Sequence, residues 1–121
     1  MAKVELELQR LAQLEEVMGA KLPEIIGGIV QSLTTAISQL EAAMRAGELD
    51  GAAKAAHAAR NDALMIGAKQ LLVSLTQIET CARDGHADPA EHALIGLRDA
   101  WPGTRDELQR VALGSGRTAG P

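Results

Sequence analysis

The chain has 121 residues, 46% of them hydrophobic, a net charge of −4 and one aromatic residue, Trp101. That length suits a single domain around one core. The acidic balance excludes the basic footprint needed for nucleic acid or an anionic membrane, and the absence of Phe and Tyr leaves no platform for stacking single-stranded bases.

Apolar spacing of three and four residues predicts five helical segments. The first covers about residues 4–18, with Val4, Leu8, Leu11 and Met18 on one side and Leu14 at its edge, before Gly19. The second starts near Pro23, where proline suits a first helical turn, and ends before Gly47. Its stripe is Ile26, Ile29/Val30, Leu33, Ile37, Leu40 and Met44, and the Gly27-Gly28 pair inside it reads as room for close helix packing.

The third segment covers residues 49–66, with Glu48 and Asp50 at the end where the helix dipole favours acids. Its stripe of Leu49, Ala52, Ala56, Ala59, Ala63 and Ile66 is small, which implies close approach of its neighbours. Gly67 allows a tight turn into the fourth segment, with Ala68, Leu71, Leu75, Ile78 and Ala82 in register. The fifth opens on Asp88, Pro89 and Glu91, read as an N-cap, an N1 proline and a capping-box partner. It continues through Leu94, Leu97, Trp101, Leu108 and Val111, with a kink or break expected at Pro102-Gly103. Residues 114–121 have no apolar period and are expected to be disordered.

Long helices with short connections favour antiparallel neighbours. The expected fold is all-α: an up-down-up-down antiparallel four-helix bundle with an additional N-terminal capping helix, one domain over residues 1–113. The longest apolar run, residues 25–30, contains two glycines and falls far short of the roughly 20 residues of a spanning helix. MAKVELELQR has no signal-peptide core, and Cys81 is alone, so no intramolecular disulfide forms. These features lead us to expect a cytoplasmic monomer.

His57 is the informative residue for chemistry. It lies one position past Ala56 on the core stripe, which sets it at the flank of the buried face. Arg60 and Asn61 follow at i+3 and i+4 on the same side. An imidazole with the ordinary pKa of about 6.5 is largely neutral at cellular pH, and its free nitrogen can attack phosphorus and hold the group as a phosphoramidate. A guanidinium beside it offers planar, permanently charged donors for phosphoryl oxygens. Residues 54–69 hold Lys54, Arg60 and Lys69 against Asp62, while the rest of the chain has nine basic and fifteen acidic residues. A locally positive patch on an acidic protein suits an acidic partner. From spacing alone, the commoner reading of such a residue is still an ordinary histidine at a helix edge.

The stretch AHAARNDALMIGA, residues 56–68, resembles the signature of the histidine phosphotransfer (HPt) domain, roughly A-H-x-L-K-G-S-x-x-x-[LI]-G-A. Leu71 and Ile78-Glu79 continue the likeness downstream, and LEAAMRAGELDGAAKAAH is similar to the family's approach to its histidine. The resemblance spans about residues 6–112. It implies a phosphorelay intermediate that accepts a phosphoryl group from a receiver-domain aspartate and passes it to another receiver. By that likeness His57 is the phosphoryl acceptor and donor, and Arg60 takes the place of the family's helper lysine. Glu79 takes the place of a residue that hydrogen-bonds near the imidazole. The implied partners are response-regulator receivers and a hybrid or histidine kinase. Magnesium is supplied by the receiver, with no cofactor in this chain. The first segment, with the flanks of the second and third, would line the docking face. Asn61 stands where the family has a space-making glycine and Asp62 where serine is common. These departures open a second reading: a degenerate adaptor that binds receiver or kinase domains without being phosphorylated.

An enzyme with its own active site finds no recognisable nucleophile motif or phosphate-binding glycine loop. His86 precedes the fifth segment, Asp88 reads as its cap and His92 falls off its core stripe, so the three are not read as a metal site.

Overall fold

The computed structural model describes residues 21–118, with side chains to residue 112. Four helices follow one another: α1, Leu22–Ala46; α2, Leu49–Ile66; α3, Lys69–Arg83; and α4, Ala87–Thr118. Each packs against the next in chain order, and α1 packs against α4 to close an all-α bundle. The segment at residues 4–18, with its expected capping role, lies outside the described residues.

One device makes all three connections. Gly47, Gly67 and Gly85 adopt φ of 72°, 69° and 79°, the left-handed region that a side chain disfavours. In each, the glycine N–H donates to the carbonyl three residues back, and the next N–H donates to the carbonyl five back. The pairs are Gly47 to Met44 and Glu48 to Ala43, Gly67 to Leu64 and Ala68 to Ala63, and Gly85 to Ala82 and His86 to Cys81. This Schellman arrangement satisfies the last carbonyls of one helix. The residue after the glycine then accepts the first bond of the next helix, as Ala52, Leu72 and Ala90 donate to Glu48, Ala68 and His86. The chain therefore reverses within two or three residues, and neighbouring helices run antiparallel.

The predicted stripes are the core. Leu33, Leu40, Leu71, Leu75, Ile78, Leu97 and Leu108 are fully buried, as are Ala52, Ala56, Ala59 and Ala63 along α2. Burying a leucine contributes about 1.5–3 kcal/mol, whereas an alanine adds little area but lets a neighbouring helix come close. Ser32 donates to Asp62 at 2.6 Å between α1 and α2, and Arg98 donates to Glu41 at 2.7 Å between α4 and α1.

Several sequence expectations need correction. The last helix begins at Ala87, so Asp88 sits in its first turn rather than capping it, and Pro89 is its third residue. The first four N–H groups of a helix have no intrahelical acceptor, so proline there removes no bond. No break occurs at Pro102-Gly103; α4 runs through both. Pro102 cannot donate to the carbonyl of Arg98. Both residues are exposed, so water can take that acceptor, while buried Trp101, Thr104 and Leu108 keep the flanking turns on the bundle. The helix also continues to Thr118, into the stretch expected to be irregular. Propagation adds a hydrogen bond per residue, and no proline interrupts those positions. Finally, Gly27 and Gly28 are exposed, and a Cβ at either would meet nothing within 4 Å among the described residues. They fall off the Ile26–Ile29 stripe and bring no described helix close.

Candidate functional site

The site grows from two adjacent positions on facing helices. On α2, Ala56 points into the core, so His57, rotated about 100° further round, emerges at the flank. Its side chain is 57% exposed. On α3, Ile78 is fully buried, and Glu79 next to it lies in the α2–α3 seam with its side chain only 4% exposed.

A buried carboxylate demands partners, and Glu79 has three. Arg60 donates from Nη1 to Oε1 at 2.6 Å, Arg83 donates from Nη2 to Oε2 at 2.5 Å, and His57 Nδ1 meets Oε2 at 3.0 Å. Burial pushes the Glu79 carboxyl upward, but the hydrogen bonds from Arg60 and His57 and the nearby positive charge outweigh it, leaving its pKa below the ordinary value of 4.5. Glu79 is therefore a carboxylate at neutral pH and can only accept. When the imidazole is neutral, Nδ1 must carry the hydrogen, and Nε2 keeps its lone pair for a partner outside.

A shallow pocket opens beside His57, lined by Asp50, Ala53, Lys54 and Arg83. Its positive groups come from one turn before the histidine on α2 and one turn after Glu79 on α3.

The structure thus brings together three of the four residues singled out in the sequence: His57, Arg60 and Glu79. Arg60 turns toward Glu79 rather than toward the pocket, and its Nε is buried with no partner among the described residues. Asn61 is exposed and stands outside both the carboxylate network and the pocket. Asp62 faces Ser32 on α1, away from the histidine. His86, Asp88 and His92 are exposed at the start of α4, and no three His, Cys, Asp or Glu side chains converge as metal ligands among the described residues.

Sequence reasoning missed Arg83. Its signal was present as an acid and a base at i, i+4 on one helix, Glu79 then Arg83. Lys54 entered only as part of a charge window, although it stands at i−3 from His57, on the same side of α2.

No helix among the described residues is long and apolar enough to cross a membrane. No protein-family model matches the sequence, and no curated protein matches it. Among solved structures it is similar to histidine-containing phosphotransfer protein B (HptB) from Pseudomonas aeruginosa PAO1, at a TM-score of 0.86 and 23% identity. The match covers 90% of this chain and 95% of that one. A closed bundle of four antiparallel helices, with a half-exposed histidine on the second and a buried glutamate behind it, is therefore built on the fold of that phosphotransfer protein.

Proposed function

We propose that this chain is a phosphoryl carrier in a two-component phosphorelay, accepting the group on His57 from a receiver-domain aspartate and passing it to another receiver. The observation that carries this reading is the contact of His57 Nδ1 with the ionised, buried Glu79, which leaves Nε2 free on the exposed side of the ring. The likeness in fold to a phosphotransfer protein supports it.

In the forward step the Nε2 lone pair attacks the phosphorus of the partner's acyl phosphate. The N–P bond forms as the P–O bond to the aspartate breaks, and the bonding pair leaves on that carboxylate. The ring keeps its Nδ1 hydrogen and so gains positive charge, opposite Glu79, which stabilises it electrostatically and holds its orientation. Return transfer to a second aspartate reverses these changes. Arg60 holds Glu79 in its ionised state. The chain contributes a positioned nucleophile and fixed charges; the magnesium ion and the acidic pocket belong to the receiver. Hence the protein is a carrier, not an enzyme with an independent active site.

The test is phosphorylation of the purified chain with phosphoramidate, then with phosphorylated receiver domains, beside His57→Gln. The carrier reading expects an acid-labile adduct of one phosphoryl group by intact mass, absent in the variant. A folded wild-type chain that binds a receiver yet takes up nothing would make it an adaptor.

A further inference from the structure

The carrier reading leaves open which cation meets the phosphoryl oxygens, and the placement of the charges answers it. Arg60, the residue that the sequence offered, directs Nη1 to Glu79 at 2.6 Å and does not line the pocket beside His57. Lys54 does line it, one turn before the histidine on the same face of α2. It is exposed and makes no ion pair among the described residues, although Asp50 shares the pocket one turn further back. Arg83, from α3, lines it too; one of its nitrogens serves Glu79, and a guanidinium has donors to spare.

We propose that Lys54 is the phosphoryl-binding residue of this protein, receiving the oxygens of the group on His57 in the Lys54–Arg83 pocket, while Arg60 acts only through Glu79. This inference rests on the carrier reading. The chemistry is direct. A phosphoryl group on Nε2 projects outward from the ring, away from Glu79, and the adjoining concavity carries two cations on two helices. Lys54 is a flexible point charge with three donors, able to follow the group as it passes between nitrogen and the partner's carboxylate. Asp50 sets the opposing charge and repels the phosphoryl oxygens. The same arrangement makes Asp50→Asn an accelerating change.

The experiment measures the rate of acid-labile phosphate uptake from phosphoramidate by the full chain and its Lys54→Gln, Lys54→Arg, Arg60→Gln and Asp50→Asn variants. Folding is checked by thermal melting. Losing one charge-assisted hydrogen bond to the transferring group slows uptake about tenfold or more, so Lys54→Gln should show that loss with an unchanged melt. Lys54→Arg should recover to within about threefold, and Asp50→Asn should exceed the wild type. Arg60→Gln should alter the His57 ring hydrogen-bonding signature by NMR. Uptake by Lys54→Gln at the wild-type rate, or a loss that Lys54→Arg does not restore, overturns the assignment to Lys54 while the carrier reading stands. A wild type that never becomes phosphorylated overturns both, and is recognised because every protein in the set stays unmodified.

Discussion

His57 Nδ1 and Glu79 Oε2 lie 3.0 Å apart across the α2–α3 seam, the imidazole largely in solvent and the carboxylate almost wholly out of it. That asymmetry gives the two nitrogens of one ring different tasks. The inner nitrogen is tied to a fixed acceptor, and the outer one keeps its lone pair when the ring is neutral.

The tautomer is the first consequence. Nitrogen-detected NMR of the neutral ring should show hydrogen on Nδ1 in the wild type and a mixture of tautomers in Glu79→Ala. Phosphoryl uptake by that variant should fall about tenfold, the worth of a hydrogen bond to a charged group. An unchanged tautomer in Glu79→Ala would mean that the ring is oriented by something else.

Stability should depend on pH through the same carboxylate. The folded pKa of Glu79 lies below its ordinary value of 4.5, because Arg60 and His57 overcome the cost of burial. Its contribution is therefore fully present above about pH 4.5 and is lost as pH falls through the lowered folded value. Urea midpoints measured across the acid range should decline more steeply for the wild type than for Glu79→Gln. Parallel acid limbs would show that the network carries no linkage.

Glycines in this chain should respond oppositely to alanine. Gly28 is exposed within α1 and a Cβ there meets nothing among the described residues, so Gly28→Ala should stabilise the protein by about 0.5–1 kcal/mol. Gly47, at φ of 72°, should lose about 1–2 kcal/mol on the same change, because a Cβ strains the left-handed turn. Denaturant melts of the two variants read the contrast directly.

Asn61 stands outside the pocket and the Glu79 network. Asn61→Gly should therefore leave phosphoramidate uptake within about threefold of wild type, a difference under 1 kcal/mol in the barrier. Any larger gain with a receiver as donor, and not with the small donor, would locate its effect in docking.

The alanine row of α2 tests packing. Ala59 is fully buried against its neighbours, so Ala59→Leu should cost about 1–3 kcal/mol through overpacking. A variant as stable as the wild type would show slack in the seam that positions His57.

Local pattern was sufficient for much of this protein. The Leu33–Leu40 stripe, the small row from Ala52 to Ala63 and the turns at Gly47 and Gly67 are encoded within a few residues of themselves. Helical periodicity and left-handed φ are local physics. The flank position of His57 follows from its place one residue after Ala56. Pro102 does not break the helix, because a proline's effect depends on what surrounds the carbonyl it orphans. At Gly27-Gly28 no described helix comes close, because a small residue permits close approach without causing it.

By itself the sequence determined the four described helices, their buried faces and the flank position of His57. Only the tertiary structure decided what each charge does. It drew Glu79 into the seam, turned Arg60 inward to it, added Arg83 as a third donor and left Lys54 facing the pocket. Electrostatic partnership depends on distance and burial across two helices, and spacing along one chain specifies neither.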